Sequence, residues 1–397
     1  MYKTWCFNPA DTLFFRGGKP FEAGESGWLE SFFPPSPHTI QGIIRTRILS
    51  EFTNNFEYNN DGTWRCAVGN LDLSAEIGKA GQSENLGKLK LSGPFLTYHG
   101  ERLYPLPLDI VHNKAGLTSL TPSSESIECD LGKVRLPATD RLGVKNFSEV
   151  YINGDDLIKA LLGVPLSGAK LYYLFPPEGK EEASLNILAD RESRIGLARD
   201  NAQRTCLEGH LYAVSLIRPR ENVGVEVDIS GIDDKLQELG TTIQRIGGEG
   251  KLSEISIKNE LPPQIVIPDL AAKIDENKGC FKLVFVTPAR FKGNGWLFDG
   301  FVKNANDGWQ GTLEGLTCRL ISACVGKAQK TGGWNMAEGK KCPKDLAAYV
   351  PAGSVYFLQA DIKGVDIIKG LQTGQIGEEK PLGFGQFFIG TWEDKRL

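Results

Sequence analysis

The sequence is poor in the groupings that catalysis and metal binding need. It has four histidines, at 38, 99, 112 and 210. The last three have no Cys, Ser or carboxylate spaced beside them as a nucleophile or metal site would require. It has no Gly-x-x-x-x-Gly-Lys-Ser/Thr loop, and no pair of adjacent aspartates in a turn of the kind a polymerase palm uses. Its eight cysteines (6, 66, 129, 206, 280, 318, 324, 342) include no Cys-x-x-Cys pair. Zinc would therefore need four ligands gathered from distant places. The expectation is reduced, mostly structural thiols, with no metal and no cofactor.

Long apolar runs are missing too. The longest strand-like one, Phe281 to Val286, is far shorter than a membrane span, so no membrane partner is expected. Met1-Tyr2-Lys3-Thr4-Trp5 lacks the basic-then-apolar start of an export signal, which leads to the expectation of a cytoplasmic protein. An excess of positive charge is also absent: the net charge is −4 and the pI about 5.8. Proteins that hold duplex DNA unaided are usually basic. Any nucleic acid must therefore meet a local patch, or be held jointly with other subunits.

What is present is a 397-residue chain with room for two cores, 41 % hydrophobic and 24 % charged. Its forty-six glycines and twenty-one prolines fit a loop-rich fold. Met1 to Pro9 reads as a strand, followed by a glycine turn with two cations (Arg16, Gly17, Gly18, Lys19). Ser36 and Pro37 then open a helix over Ile40 to Phe52, with Ile40, Ile43, Ile44, Ile48 and Phe52 at helical spacing. Arg45 and Arg47 fall at the margins of its apolar face. There they either snorkel to the surface or meet an anion.

Residues 54–205 read as a long irregular insertion with short helices, for instance Asp155 to Leu162. Strands are expected over His210 to Ile217 and Val223 to Ile229, joined by a hairpin-like turn at Arg218 to Asn222. A short helix at Asp233 to Leu239, the Gly247-Gly248-Glu249-Gly250-Lys251 loop and a strand at Ser253 to Ile257 follow. The order β-α-(insertion)-β-β-α-β is the split βαβ plan of a ferredoxin-like domain. Leu261 to Pro268 reads as a linker. Beyond it come strands at Cys280 to Thr287, Leu313 to Val325 and Gly353 to Ile362, a helix at Val365 to Leu371, and a final strand flanked by Gly383 and Gly385. The fold expected is α+β, with two ferredoxin-like (RRM-like) domains at 1–265 and 266–397.

Several stretches together carry a resemblance. They are Asp11-Thr12-Leu13-Phe14-Phe15-Arg16-Gly17-Gly18-Lys19-Pro20-Phe21, Phe33-Pro34-Pro35-Ser36-Pro37-His38-Thr39-Ile40-Gln41-Gly42-Ile43-Ile44-Arg45 and Pro105-Leu106-Pro107-Leu108-Asp109. Further along are Leu207-Glu208-Gly209-His210-Leu211-Tyr212, Ile246-Gly247-Gly248-Glu249-Gly250, Gly332-Gly333-Trp334 and Val350-Pro351-Ala352-Gly353-Ser354. The last is Lys380-Pro381-Leu382-Gly383-Phe384-Gly385. In this order the chain resembles the RAMP superfamily of CRISPR effector subunits. Within it, the chain looks like the third subunits of the type III-B (Cmr) RNA-guided complex. The resemblance implies a non-catalytic subunit in antiviral defence that holds the 5′ tag of the guide crRNA. It also implies contacts with the large polymerase-like subunit and with neighbouring backbone subunits.

The candidate RNA-binding residues are Arg16, Gly17, Gly18, Lys19, Arg45, Arg47, Gly247, Gly248, Gly250, Lys251, Lys380, Gly383 and Gly385. Glycine amides can approach a phosphate closely, and single-stranded RNA offers its bases for reading. Each loop alone is equally well a tight turn before a strand, and Phe384 reads better as a buried strand residue than as a stacking one. Lys327, Lys330, Lys340, Lys341 and Lys344 form a further basic patch, or a solvated loop. Two alternatives remain: a metal-independent endoribonuclease with His38 as general base, and a purely structural subunit.

Overall fold

The computed structural model describes residues 2–17, 28–52, 56–65, 68–82, 85–179, 182–260, 264–304, 308–335 and 342–396. Among these the fold is mixed α+β and rich in strands, with few helices. The chain divides into two compact units, each assembled from three stretches. The first comprises Met1–Arg102, Tyr173–Pro262 and Lys330–Ala347; the second comprises Leu103–Tyr172, Pro263–Gln329 and Ala348–Leu397. The sequence reading places a single boundary near residue 265.

The first unit is built on strand Lys3–Pro9. Trp5 and Phe7 point into the core, each 0 % exposed, and Thr4, Cys6 and Asn8 alternate with them. Val223–Ser230 pairs antiparallel on one side of this strand and Leu252–Lys258 on the other. Lys90–Tyr98 then pairs with 223–230, and Thr242–Arg245 with 252–258. The order is 90–98, 223–230, 3–9, 252–258, 242–245. Helix α1 (Pro37–Phe52) packs on strand 90–98 and buries Ile40, Ile43, Ile44 and Ile48. Ser36 Oγ accepts from the Thr39 amide at 3.3 Å, and Pro37 opens the helix as expected.

Three expectations fail in this unit. The stretch 54–205 bears short helices at Leu73–Ile77 and Gly154–Leu161, as read, but it is not only an insertion: it supplies core strand 90–98 and half of a long hairpin. That strand escapes sequence reading because Gly93 and Pro94 interrupt it and both of its faces are buried, which removes the alternation. The ladder register slips here, with Glu226 opposite Phe95 and Asp228 opposite Ser92, so Gly93 and Pro94 lie across from Val227 alone. Second, strand Thr205–Pro219 pairs with Ala189–Asp200, not with 223–230. A strand has two edges, and those of 223–230 are taken by 3–9 and 90–98. Residues 218–222 therefore connect two sheets instead of closing a hairpin. Third, the helix expected at 233–239 is a single 3₁₀ turn, Asp234–Leu236, capped by Asp233.

In the second unit the sheet runs Val302–Lys303, Trp309–Leu313, Leu316–Cys324, Val355–Gln359, Cys280–Phe285, Phe387–Thr391. All its pairs are antiparallel. Strand 280–285 is buried along its whole length, and its Phe281, Leu283 and Phe285 share a core with Leu320, Tyr356, Leu358 and Phe387. Helices Gly154–Leu161, Leu270–Glu276 and Gly364–Gly370 belong to this unit. Two of the quoted stretches meet in it: the Leu108 amide donates to Gly353 O at 2.8 Å, and the Gly353 amide to Phe285 O at 2.7 Å. Lys282 Nζ donates to Asp109 Oδ2 at 2.6 Å with both side chains buried.

A candidate nucleic-acid interface

Residues 10–17 of the first unit form an irregular segment held from several directions. The Ala10 amide donates to Leu252 O at 3.1 Å. Leu13 exchanges hydrogen bonds with Ile217, at 2.6 and 2.9 Å. The Phe15 amide donates to Ser31 Oγ at 2.8 Å, and the Phe32 amide to Phe15 O at 3.0 Å. Apolar anchors accompany these bonds. Phe14 packs with Val214 and Leu216, and Phe15 stacks on Phe33 with ring centroids 6.5 Å apart. Arg16, at the end of the segment, is exposed and bridges to Ser31. Gly17 lies against the Phe32 ring. Gly18 and Lys19 lie outside the described residues.

The first glycine loop packs on this segment. The Gly248 amide donates to Phe14 O at 2.8 Å. A Cβ on Gly247, whose φ is +68°, would strike Phe14 O and the Phe15 ring. Lys251 Nζ donates to Thr12 Oγ1 at 2.8 Å. The loop closes through the Ile246 amide to Lys251 O at 2.8 Å and the Lys251 amide to Gly248 O at 3.3 Å. Gly250 is exposed, with φ +63° and open space around it.

Of the helix arginines Arg47 meets an anion, the Glu51 carboxylate, whereas Arg45 takes neither course read from sequence and is met by carbonyl oxygens of the chain. Arg45 donates to Gln82 O at 3.3 Å and to Asn85 O. With the Gln41 amide turned to face it, Gln41 oxygen also accepts, from Arg45 Nε at 2.9 Å. Burial pulls the Arg45 pKa down to about 10. Arg47, 6 % exposed, reaches Glu51 at 2.8 Å and Gly240 O at 3.0 Å. His38 is in the first turn of α1 and half-buried.

The second glycine loop is in the second unit. Lys380–Leu382 is a 3₁₀ turn ended by Gly383 at φ +97°. The Gly383 amide donates to Lys380 O at 2.9 Å and the Gly385 amide to Pro288 O at 2.7 Å. Gly383 O accepts from Thr287 Oγ1 at 2.8 Å. Lys380 pairs with Glu314 at 3.0 Å. Phe384 is 1 % exposed and stacks on Tyr349, so it is a core residue. These amides already have acceptors within the fold. Of the lysine patch, Lys327 and Lys330 are exposed and Lys344 is half-buried; Lys340 and Lys341 lie outside the described residues.

Sequence reading missed the hairpin made by Ala189–Asp200 and Thr205–Pro219. Ion pairs brace its base. Arg218 bonds Glu192 at 2.7 Å and Asp11 at 2.8 Å; Arg220 bonds Asp190 and Glu182, each at 2.9 Å. The Arg218 and Arg194 guanidiniums hold the Glu192 carboxyl below the usual carboxylate range. Farther out, Arg194, Arg199 and Arg204 are exposed beside Ile195 (75 % exposed) and Leu197 (53 %). The signal was the recurrence of arginine at 191, 194, 199 and 204 in a stretch without apolar alternation.

On the sheet face that alternates with Trp5 and Phe7 the Phe95 ring is buried beneath the Arg102 guanidinium, 4.6 Å from its centroid, and is closed to a base. Arg102 also bonds Glu226 and Asp228, Thr4 bonds Asp228 at 2.7 Å, and Lys258 bonds Glu226 at 2.7 Å. The cations there, Arg102 and Lys258, are thus engaged by carboxylates of the chain rather than turned toward phosphate. Among the described residues no group of three or more His, Cys, Asp or Glu side chains could hold a metal ion. No described helix is long and apolar enough to cross a membrane.

A sequence model of the family described as CRISPR-associated protein (Cas_Cmr3) matches residues 5–392. No curated protein sequence matches the chain. Among solved structures, a chain of the type III-B Cmr-beta complex bound to cognate target RNA is similar at 14 % identity and a TM-score of 0.50. That match covers 97 % of this chain and 96 % of the other. A chain of Cmr-beta bound to cognate target RNA and AMPPnP, state 1, is similar at 15 % identity and TM-score 0.49, covering 95 % and 90 %.

Proposed function

The chain belongs to the CRISPR-associated Cas_Cmr3 family, and from that premise we propose a non-catalytic RNA-binding role in a type III-B Cmr effector complex. In this reading the chain holds the 5′ tag of the guide crRNA and docks the large polymerase/cyclase-like subunit. The observation that carries the RNA contact is the arrangement of the first unit. There the Arg16 segment is tied by Leu13 to the base of a long hairpin whose outer part exposes Arg199 and Arg204. Exposed guanidiniums neutralise phosphates, and neighbouring apolar side chains such as Ile195 and Leu197 can lie against unstacked bases. Arg45 and Arg47 brace α1 in this account, since their donors meet acceptors of the protein.

We also assign a ferredoxin-like core to each unit. Named by chain order, the four central strands lie as second, third, first, fourth in both. They are 90–98, 223–230, 3–9, 252–258 in one unit and 316–324, 355–359, 280–285, 387–391 in the other. The full helix α1 follows the first strand in one unit, and helix 364–370 follows the third strand in the other.

The test is competition binding by the chain together with the large subunit. Tagged guide RNA is expected to displace labelled tagged RNA better than RNA of equal length without the tag. Equal displacement would favour the purely structural reading. For the absence of catalysis, repeat RNA incubated with the protein in EDTA is expected to stay intact. Cleavage that vanishes in His38→Ala would make the chain an endoribonuclease.

A further inference from the structure

We infer that the glycine loop at 246–251 is a latch for the arginine-bearing segment 11–16, with Lys251 as a positioning residue that does not itself hold phosphate. The inference rests on the RNA-binding reading above. It concerns how the site is set, and its test separates the two.

Two groups in this loop that would suit an anion face the protein. The Gly248 amide is aimed at Phe14 O, and Lys251 Nζ at the hydroxyl of Thr12, which is 0 % exposed. Gly247 is needed for a close approach of backbone to backbone: any Cβ there would collide with Phe14 O and the Phe15 ring. The charge of Lys251 also acts within the protein. The Asp11 carboxyl is held below its usual range by the Thr12 amide first, and by Arg218 and Lys251 as well.

The opposite flank of the segment is fixed by the paired hydrogen bonds of Leu13 with Ile217. Between these two attachments Thr12, Leu13, Phe14 and Phe15 are all buried, and Arg16 is the first residue to emerge. The loop and the hairpin thus meet on one short segment. The direction in which Arg16 projects depends on both.

The experiment measures tagged-RNA affinity of the pair with the large subunit as a function of salt, for Arg16→Ala, Lys251→Met, Thr12→Val and their combinations. A side chain that contacts phosphate lowers the slope of log affinity against log salt by about one when removed. Arg16→Ala is expected to do so. Lys251→Met and Thr12→Val are each expected to weaken binding about fivefold, the scale of one hydrogen bond, with the slope unchanged. Thr12→Ser, which keeps the hydroxyl, is expected to restore affinity.

In the Arg16→Ala background, Lys251→Met is expected to add nothing, because its effect passes through Arg16. A general loss of stability would weaken binding in either background. A slope lowered by about one further unit when Lys251→Met is added to Arg16→Ala would make Lys251 a phosphate ligand and overturn the latch. So would unchanged affinity, or an undiminished effect of Lys251→Met without Arg16. Failure of the wild-type pair to bind tagged RNA would instead remove the functional reading itself.

Discussion

Asp109 and Lys282 meet at 2.6 Å with side chains 1 % and 3 % exposed, so a residue from a proline-rich loop is fastened by charge to the central strand of the second unit. Removing one member of a buried pair leaves the other charged and unpaired, at a cost of about 3–5 kcal/mol. Lys282→Met is expected to lower the unfolding free energy by roughly that amount in denaturant titration. Adding Asp109→Asn is expected to recover a good part of the loss. A loss below about 1 kcal/mol for the single variant would show that the pair does not fasten the loop.

Asp394 gives the fold a dependence on acid. Burial alone would raise its pKa, but hydrogen bonds from Arg135 at 2.7 and 2.8 Å bring it below the ordinary 3.8. A carboxyl depressed on folding stabilises the protein above its unfolded pKa, and that contribution disappears as pH falls through the folded value. Stability is therefore expected to drop below about pH 4. In Arg135→Met this part of the drop should be smaller; an identical acid profile in the variant would contradict the pairing.

Thiol chemistry should divide the cysteines. Burial pushes Cys280 and Cys318 up to about 12 and, with Glu226 adding to it, Cys6 up to about 11, whereas Cys129 and Cys342 are exposed. At pH 8 a thiol reagent followed by peptide mapping is expected to label Cys129 and Cys342 at once, and Cys6, Cys280 and Cys318 only after unfolding. Fast labelling of Cys280 in the folded protein would contradict the packing of strand 280–285.

These features differ in how far the sequence foretold them. Helix α1 was legible to its cap because Ser36, Pro37 and the isoleucine spacing all act locally. Strands 280–285 and 355–359 showed as short apolar runs bounded by turns. Strand 90–98 did not show, since Gly93 and Pro94 suit only a ladder that slips opposite Val227, a partner more than a hundred residues away in sequence. The loops at Gly247 and Gly383 were visible as glycine clusters. What their amides bind was not, because Phe14 O and Pro288 O are acceptors that only the fold brings near. Arg45 and Arg47 were recognised as arginines in need of partners; the Asn85 and Gly240 carbonyls that satisfy them lie beyond any local pattern.

The hairpin arginines are expected to act as independent phosphate contacts. Arg199→Ala and Arg204→Ala should each weaken RNA binding across sequences and lower the salt slope by about one, with the double variant losing about two. Slopes equal to wild type would take the hairpin out of the interface.

The central claim, that this chain holds the crRNA tag along the Arg16 segment and the hairpin, is tested most directly by crosslinking. Photoreactive nucleotides would be placed in the tag of the reconstituted complex and the crosslinked peptides mapped. The account expects crosslinks within residues 10–17 and 189–219 of this chain. Crosslinks confined to other subunits, or to the carboxylate-bearing sheet face around Glu226 and Asp228, would contradict it.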